Sequence, residues 1–240
     1  MIAQGGKSIY GASVGILMLD ARFPRIPGDM GNAQTWPFPV HYRIVRQASP
    51  DRVVRQGAEG LLPAFVEAAQ ALEADGVDGI TTNCGFLSLY QQDLAEAVSV
   101  PVVTSSLMQV EMVNRCLPKG RRAGVLTISG STLTSAHLAA ANVPADTPIG
   151  STEGGREFTR AILGNEPTLD VALARQDNID AARALQVAHP DLGAIVLECT
   201  NMCPYASDIA RETGLPTFSI VSLVTWFQSG LAPRRYPFDA

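Results

Sequence analysis

Two stretches of the chain align without a gap at a constant offset of 115 residues, and this repeat constrains the fold more than any other feature. Residues 79–106 and 194–221 each read as an apolar run, a cysteine, a loop, a helical pattern, a short turn and a proline-led apolar run. The offset pairs Cys84 with Cys199, Tyr90 with Tyr205, Asp93 with Asp208, Leu94 with Ile209, Ala95 with Ala210 and Pro101 with Pro216. Strand–helix–strand units resemble one another in apolar pattern alone. A gap-free match that also sets cysteine on cysteine, tyrosine on tyrosine and aspartate on aspartate points to two related halves.

Periodicity along the rest of the chain agrees. Strands are predicted at Val14–Leu19, Tyr42–Arg46, Gly79–Asn83, Val100–Thr104, Ala123–Ile128, Ala194–Glu198 and Thr217–Val221. Helices are predicted at Ala58–Asp75, Leu87–Val98, Met108–Leu117, Leu133–Ala141, Arg156–Leu163, Leu169–Ala188 and Tyr205–Thr213. Short apolar strands alternating with amphipathic helices make a parallel sheet covered on both faces. The expected class is therefore α/β, with two pseudo-symmetric, Rossmann-like parallel-sheet halves and the active site in the cleft between them. The first half is expected to hold residues 1–113 plus 216–240 and the second 114–215, because Thr217–Val221 matches the end of the first repeat and would cross back. The Gly- and Pro-rich stretch from Asp20 to Pro39 is longer than ordinary connections. Loops of that length are often lids, and Trp36 and Phe38 would give this one an apolar surface.

The motif "TTNCGF" (residues 81–86) ends a buried-looking strand on Cys84 and turns at once on Gly85. A cysteine kept for packing belongs inside the apolar run. In parallel sheets, ligands bind beyond the carboxyl ends of the strands. Cys84 and Cys199 at two such ends would face each other across the cleft. Unpaired N–H groups and the dipole at the following helix starts lower a thiol's pKa. The same N–H groups, reached freely at Gly85 beside Asn83 and Phe86, could hold a carboxylate. Thr200 and Asn201 would add hydrogen bonds from the opposite side. One thiolate could then remove the proton beside that carboxylate while the other thiol delivers a proton to the opposite face. Hydrogen bonds to the carboxylate must stabilise the developing charge.

Other classes are disfavoured by composition. A net charge of −5 and the absence of a basic cluster argue against a nucleic-acid surface. No apolar stretch reaches the length of a membrane span. Lys7 and the apolar run Ile9–Leu19 resemble a short export signal, but no small-x-small cleavage site follows and the run reads as a first strand. Four cysteines are too few for a disulfide scaffold, so a reducing, cytoplasmic setting is the default. His41, His137 and His189 are scattered without ligand spacing, so no metal is expected; no cofactor motif is visible, and the chemistry requires none.

With these motifs in hand, the chain resembles the aspartate/glutamate/hydantoin racemase superfamily. "TTNCGF", "LECTNM" and "GILMLDARFPRIPGDMGN" carry the likeness, which covers nearly the whole length. The resemblance implies a cofactor-independent enzyme, a homodimer, and Cys84 with Cys199 as an acid/base pair. It also implies site roles for Asp20 after the first strand and for Thr127 and Ser129 in the loop opening the second half. The departures bear on substrate. Gly85-Phe86 stand where glutamate racemases have Asn-Thr, and Asn201 replaces a histidine. Phe86 would suit a larger or less polar substrate.

The expected function is thus a racemase or epimerase, an isomerase inverting a carbon next to a carboxylate in an amino acid, hydantoin or related small acid. A lyase or decarboxylase of a substituted carboxylic acid on the same scaffold is the alternative. A small-acid binding protein or thiol redox protein is a third reading. Plainer roles compete residue by residue: Asp20 as a turn residue, Thr200 and Asn201 as helix caps, Thr127, Ser129 and Ser131 as a cap cluster. Cys116 and Cys203 lack partners in the repeat and read as packing or spare thiols, and Tyr90 and Tyr205 as core. Arg22, Arg25 and Arg43 read as surface charges near a cleft loop.

Overall fold

A computed structural model of the chain describes residues 5–234 and 236. Among the described residues, eight strands form two separate four-stranded parallel sheets. The first contains β1 (Val14–Leu19), β2 (Val40–Val45), β3 (Gly79–Thr82) and β4 (Val102–Val103), in the order β2-β1-β3-β4. The second contains β5 (Arg122–Thr127), β6 (Ile149–Ser151), β7 (Leu192–Leu197) and β8 (Thr217–Phe218), in the order β6-β5-β7-β8. The two orders are the same, so the halves are pseudo-symmetric in topology as well as in sequence. Backbone hydrogen bonds keep the 115-residue offset: Ile80 N–H donates to Pro101 and Ile195 N–H to Pro216, both at 2.9 Å.

The helices are α1 (Pro50–Val54), α2 (Leu62–Asp75), α3 (Gln91–Ala97), α4 (Val110–Cys116), α5 (Ser135–Ala140), α6 (Phe158–Leu163), α7 (Val171–Ala188), α8 (Ala206–Thr213) and α9 (Ile220–Leu231). Their ends follow from local chemistry. Asp170 caps α7 by accepting from the N–H groups of Ala172 and Leu173 at 3.0 Å. Gly214, at φ 69°, ends α8 in the left-handed conformation that glycine adopts without strain. No helix among the described residues is long and apolar enough to cross a membrane.

One expectation needs correction. The last strand does not return to the first half: Thr217 and Phe218 pair with Ile195 and Val196 of β7, in the second sheet. The Pro216 carbonyl accepts from Ile195 just as Pro101 accepts from Ile80, so the repeat keeps this strand with its own β7. The predicted strand also stops early, because Ser219 caps α9 in a capping box and residues 220–231 are helical. The chain crosses back only there. α9 lays Ile220, Leu223, Val224 and Phe227 on the outer face of the first sheet, against Val14, Ile16 and Val103. Reciprocally, α4 lays Val110 and Val113 on the second sheet, against Val125 and Val196. Each half is thus covered by a helix that follows the other half's last strand. The inner faces share one core, in which Leu17, Leu19 and Ile80 join Leu126, Ile195 and Leu197. This shared core fixes how the two sets of strand ends meet.

Candidate active site

Both repeat cysteines end their strands at the same place. Cys84 follows β3 and precedes a 3-10 turn at Gly85–Tyr90; Cys199 follows β7 and precedes one at Thr200–Tyr205. The first bonded donor of each turn is Leu87, to the Cys84 carbonyl at 3.0 Å, and Met202, to the Cys199 carbonyl at 3.1 Å. The two cysteines line one cavity with about 350 Å3 of unfilled space, counting its open mouth. Asn83, Gly85, Phe86, Glu198, Thr200 and Asn201 share the wall, with Leu19, Phe23, Ile128 and Ile162 completing an apolar lining. Seven of the ten expected site residues come together here: Asn83, Cys84, Gly85, Phe86, Cys199, Thr200 and Asn201.

The other three lie elsewhere. Asp20 is outside the cavity, with its carboxylate 3.5 Å from the Arg46 guanidinium and its N–H donating to the Ala48 carbonyl. Ser129 turns away and donates to Glu153 at 2.7 Å. Thr127 stands behind the wall, its hydroxyl donating to Glu198 Oε2 at 2.7 Å. Thr200 and Asn201 each already donate a side-chain hydrogen bond within the protein. The Thr200 hydroxyl donates across the cleft to the Asn83 carbonyl at 2.7 Å. The Asn201 amide donates to Asp29 at 2.5 Å, and its oxygen lies 3.7 Å from the Cys199 sulfur.

Through Asp29 the long loop is tied to the site. Asp29 is buried, pairs with Arg25 at 2.9 Å and accepts from Asn201. Arg25 is no surface charge: its guanidinium stacks on the Phe23 ring at 4.8 Å, and its Nη2 is buried without a partner. Phe23 supplies the loop's apolar contribution to the cavity, not Trp36 or Phe38. Those two pack on each other and into the core under α9, away from the cleft. The Phe86 ring is itself fully buried, edge-on to His137 at 5.0 Å, so it fills space and leaves little for a bulky group.

The site residue that the sequence reading misses is Glu198. It is 1% exposed, lines the cavity, and holds Oε2 against Thr127 while Oε1 has no hydrogen-bond partner. Burial pushes its carboxyl up to about 7, against the pull of the Thr127 hydroxyl and the Ile128 N–H. A signal was available: "LECT" puts a charged residue at the end of an otherwise apolar strand, immediately before the cysteine. Gly85 is its complement. A Cβ at that position would collide with Glu198 Oε1 and stand 2.5 Å from the Glu198 carbonyl oxygen.

The thiols do not have the lowered pKa expected at helix starts. Desolvation raises both strongly, and the nearby Glu198 carboxylate raises them further. For Cys84 the N–H groups of Phe86 and Leu87 and the charge of Arg25 pull the other way; for Cys199 the N–H of Asn201 does so. Burial outweighs these donors, so the site holds two neutral thiols beside one carboxyl. Among the described residues no three His, Cys, Asp or Glu side chains group to hold a metal.

Comparison with known proteins decides the family. The family model described as Asp/Glu/Hydantoin racemase matches residues 56–227, well over half of the chain. The chain belongs to the Asp/Glu/Hydantoin racemase family. A solved structure of arylmalonate decarboxylase shares the fold of this racemase-family protein, with a TM-score of 0.61 at 17% identity, covering 94% of this chain and 97% of that one. Curated relatives are similar over most of the chain. A dimethylsulfoniopropionate lyase of Durusdinium sp. clade D is 27% identical over 231 residues, 93% of this chain and 76% of the relative. Dimethylsulfoniopropionate lyase 5 of Emiliania huxleyi is 28% identical over 233 residues, 90% of this chain but 45% of the relative.

These relatives overturn the expectation of a racemase or epimerase. The curated relatives that align over nine-tenths of this chain are lyases, not isomerases. The physical reason is that a thiol beside an activated carbon begins both reactions in the same way. Once the proton is removed, the outcome depends on whether the substrate carries a leaving group, and paired cysteines alone do not decide that.

Proposed function

We propose that the protein is a lyase acting on a small carboxylate with a leaving group on the β-carbon, a dimethylsulfonio-propionate being the favoured substrate. The observation that carries this reading is the placement of Cys84 and Cys199 on one small apolar cavity, in a chain whose curated relatives are dimethylsulfoniopropionate lyases. One thiolate takes the proton from the carbon beside the carboxylate. The C–H electron pair becomes the new C=C bond, and the C–S bond breaks with its electrons on sulfur. Acrylate and neutral dimethyl sulfide leave, and the enzyme's base carries the proton away.

The leaving group needs no proton, so this reaction uses one base where inversion uses an acid and a base on opposite faces. The N–H of Thr200, ahead of the first bonded donor of its 3-10 turn, would receive the substrate's carboxylate; the Gly85 side is taken by Glu198 Oε1. Burial holds the thiols neutral, and a positively charged substrate shifts them the other way, because a nearby cation favours the anionic form. Substrate binding thereby helps create its own base. We further propose a cytoplasmic homodimer.

The test is to incubate the purified protein with dimethylsulfoniopropionate in deuterated buffer, following headspace dimethyl sulfide and the recovered substrate. Release of dimethyl sulfide with acrylate at equal stoichiometry is expected. Deuterium at the α-carbon with no sulfide released would overturn the lyase reading.

A further inference from the structure

Glu198 is not needed for the one-base elimination, and its environment is unusual for a residue kept only for structure. Its Oε2 is held by Thr127, whereas Oε1 lies against Gly85 with no partner, in a residue 1% exposed. A buried carboxylate oxygen without a donor is costly, and water or protein donors normally satisfy it. Here the neighbouring wall is apolar: Phe86, Phe23, Ile128 and Ile162 line the same cavity. Such surroundings suit a group that is positively charged, carries no N–H or O–H, and presents methyl groups outward. Aromatic faces and an anion are how quaternary cations are recognised.

We propose that Glu198 is the anionic subsite for an alkylated onium group on the substrate, selecting β-sulfonio or β-ammonio carboxylates over neutral acids of the same shape. The inference rests on the lyase reading for the reaction but not for the binding, so the two fail separately. Arg25 is neutralised by Asp29 and stands off the cavity wall, and the Cys84 and Cys199 thiols are neutral, so Glu198 is the one carboxyl of the wall. The wall thus carries its one acidic group on the β7 side. The onium end of a zwitterionic substrate matches that group.

The experiment compares two isosteric ligands by calorimetry on the intact protein: 3-(trimethylammonio)propanoate and 4,4-dimethylpentanoate, which differ only in nitrogen for carbon. The parent should bind the cation at least about tenfold more tightly, as expected for a desolvated charge–onium contact. Glu198→Gln should bring that ratio to about 1, while the neutral acid binds as before to within about threefold. Glu198→Asp, which keeps the charge, should retain a cation preference and guards against a Gln variant that fails to fold. Equal affinity of the parent for the two acids, binding of neither, or a cation preference undiminished in Glu198→Gln would each overturn the proposal. If the preference holds but dimethyl sulfide is not released, the subsite stands and the assigned reaction falls.

Discussion

At the end of β3 the cysteine is preceded by Asn83; at the end of β7 its counterpart is preceded by Glu198. The two backbones around them are nearly interchangeable. Asn83 N–H donates to Leu17 at 2.9 Å, and Glu198 N–H donates to Leu126 at 2.8 Å. Their side chains do related work, since Asn83 Oδ1 accepts the Leu19 N–H at 2.7 Å and Glu198 accepts from Thr127 and the Ile128 N–H. The difference is that the carboxyl can ionise and the amide cannot. A site built to invert a carbon treats both faces alike, and two equivalent halves serve it well. This site keeps the paired thiols and puts a charge beside only one strand end, as suits a reaction that starts on one face and expels a group from the next carbon.

The widest test of that asymmetry is to remove each thiol in turn. Cys84→Ser and Cys199→Ser preserve size and leave a hydroxyl too weakly acidic to be the base. In an enzyme with one base, one variant should lose elimination by about 10²–10⁴-fold, together with exchange of the α-proton into solvent. The other should lose turnover without losing exchange to the same degree. Equal loss of exchange in both variants would restore the symmetric view of the halves.

Next in size is the effect of pH on stability. The Glu198 carboxyl is pushed up to about 7 from an ordinary value of 4.5, so the folded state binds the proton more tightly than the unfolded chain. Stability therefore falls as pH rises from about 4.5 to about 7 and stays lowered above that, by about 3 kcal/mol at most. His137 acts in the opposite sense over an overlapping range: burial pushes it down to about 4, so stability falls as pH drops below 6.5. The quantity to measure is accordingly the difference between Glu198→Gln and the parent, in which the histidine cancels. Denaturant titrations should show that difference shifting by about 2.5 kcal/mol in favour of the variant between pH 5 and pH 8. The corresponding neutral position, Asn83, should give no such slope when changed to Ala. A flat difference for Glu198→Gln would mean that its carboxyl is not buried as described.

The repeat makes most of this legible from the sequence alone. Offset 115 locates both cysteines, and alternation of strands and helices supplies both sheets, because buried parallel strands leave continuous apolar runs. The features that escape are set by contacts between elements distant in sequence. β6 is three residues of Ile, Gly and Ser, too short for a pattern to register. The start of α9 reads as the end of a strand because its first residues, Ile220 and Val221, are β-branched; its helix is held by the Ser219 capping box and by burial on the other half's sheet. The functional expectation fails for a related cause. In the sequence Gly85 and Glu198 are separate features, a departure from a motif and an ordinary charge. In the fold they are one feature, because the carboxyl occupies the space a side chain at 85 would need. Asp20 is misplaced by proximity to Leu19, a wall residue whose neighbour points outward to Arg46.

The smallest effects come from the Gly85–Glu198 contact and its counterpart. Position 85 corresponds by the offset to Thr200, which has a side chain where Gly85 has none. A methyl group at 85 meets the Glu198 backbone carbonyl at 2.5 Å, an atom that cannot rotate away. Gly85→Ala should thus cost about 2 kcal/mol of stability through overpacking and displace the Glu198 carboxyl. On the other side of the cleft, Thr200→Val keeps the shape and removes only the hydroxyl that donates to the Asn83 carbonyl. Its cost should be nearer 1 kcal/mol, roughly the net value of a buried hydrogen bond. Because this bond joins the two halves at the cavity, its loss should also weaken substrate binding more than it lowers the melting temperature, read as a rise in KM at nearly constant kcat. A loss at Thr200 as large as that at Gly85 would show that the two strand ends bear equally on the site, and that the carboxyl beside one of them is not what sets the halves apart.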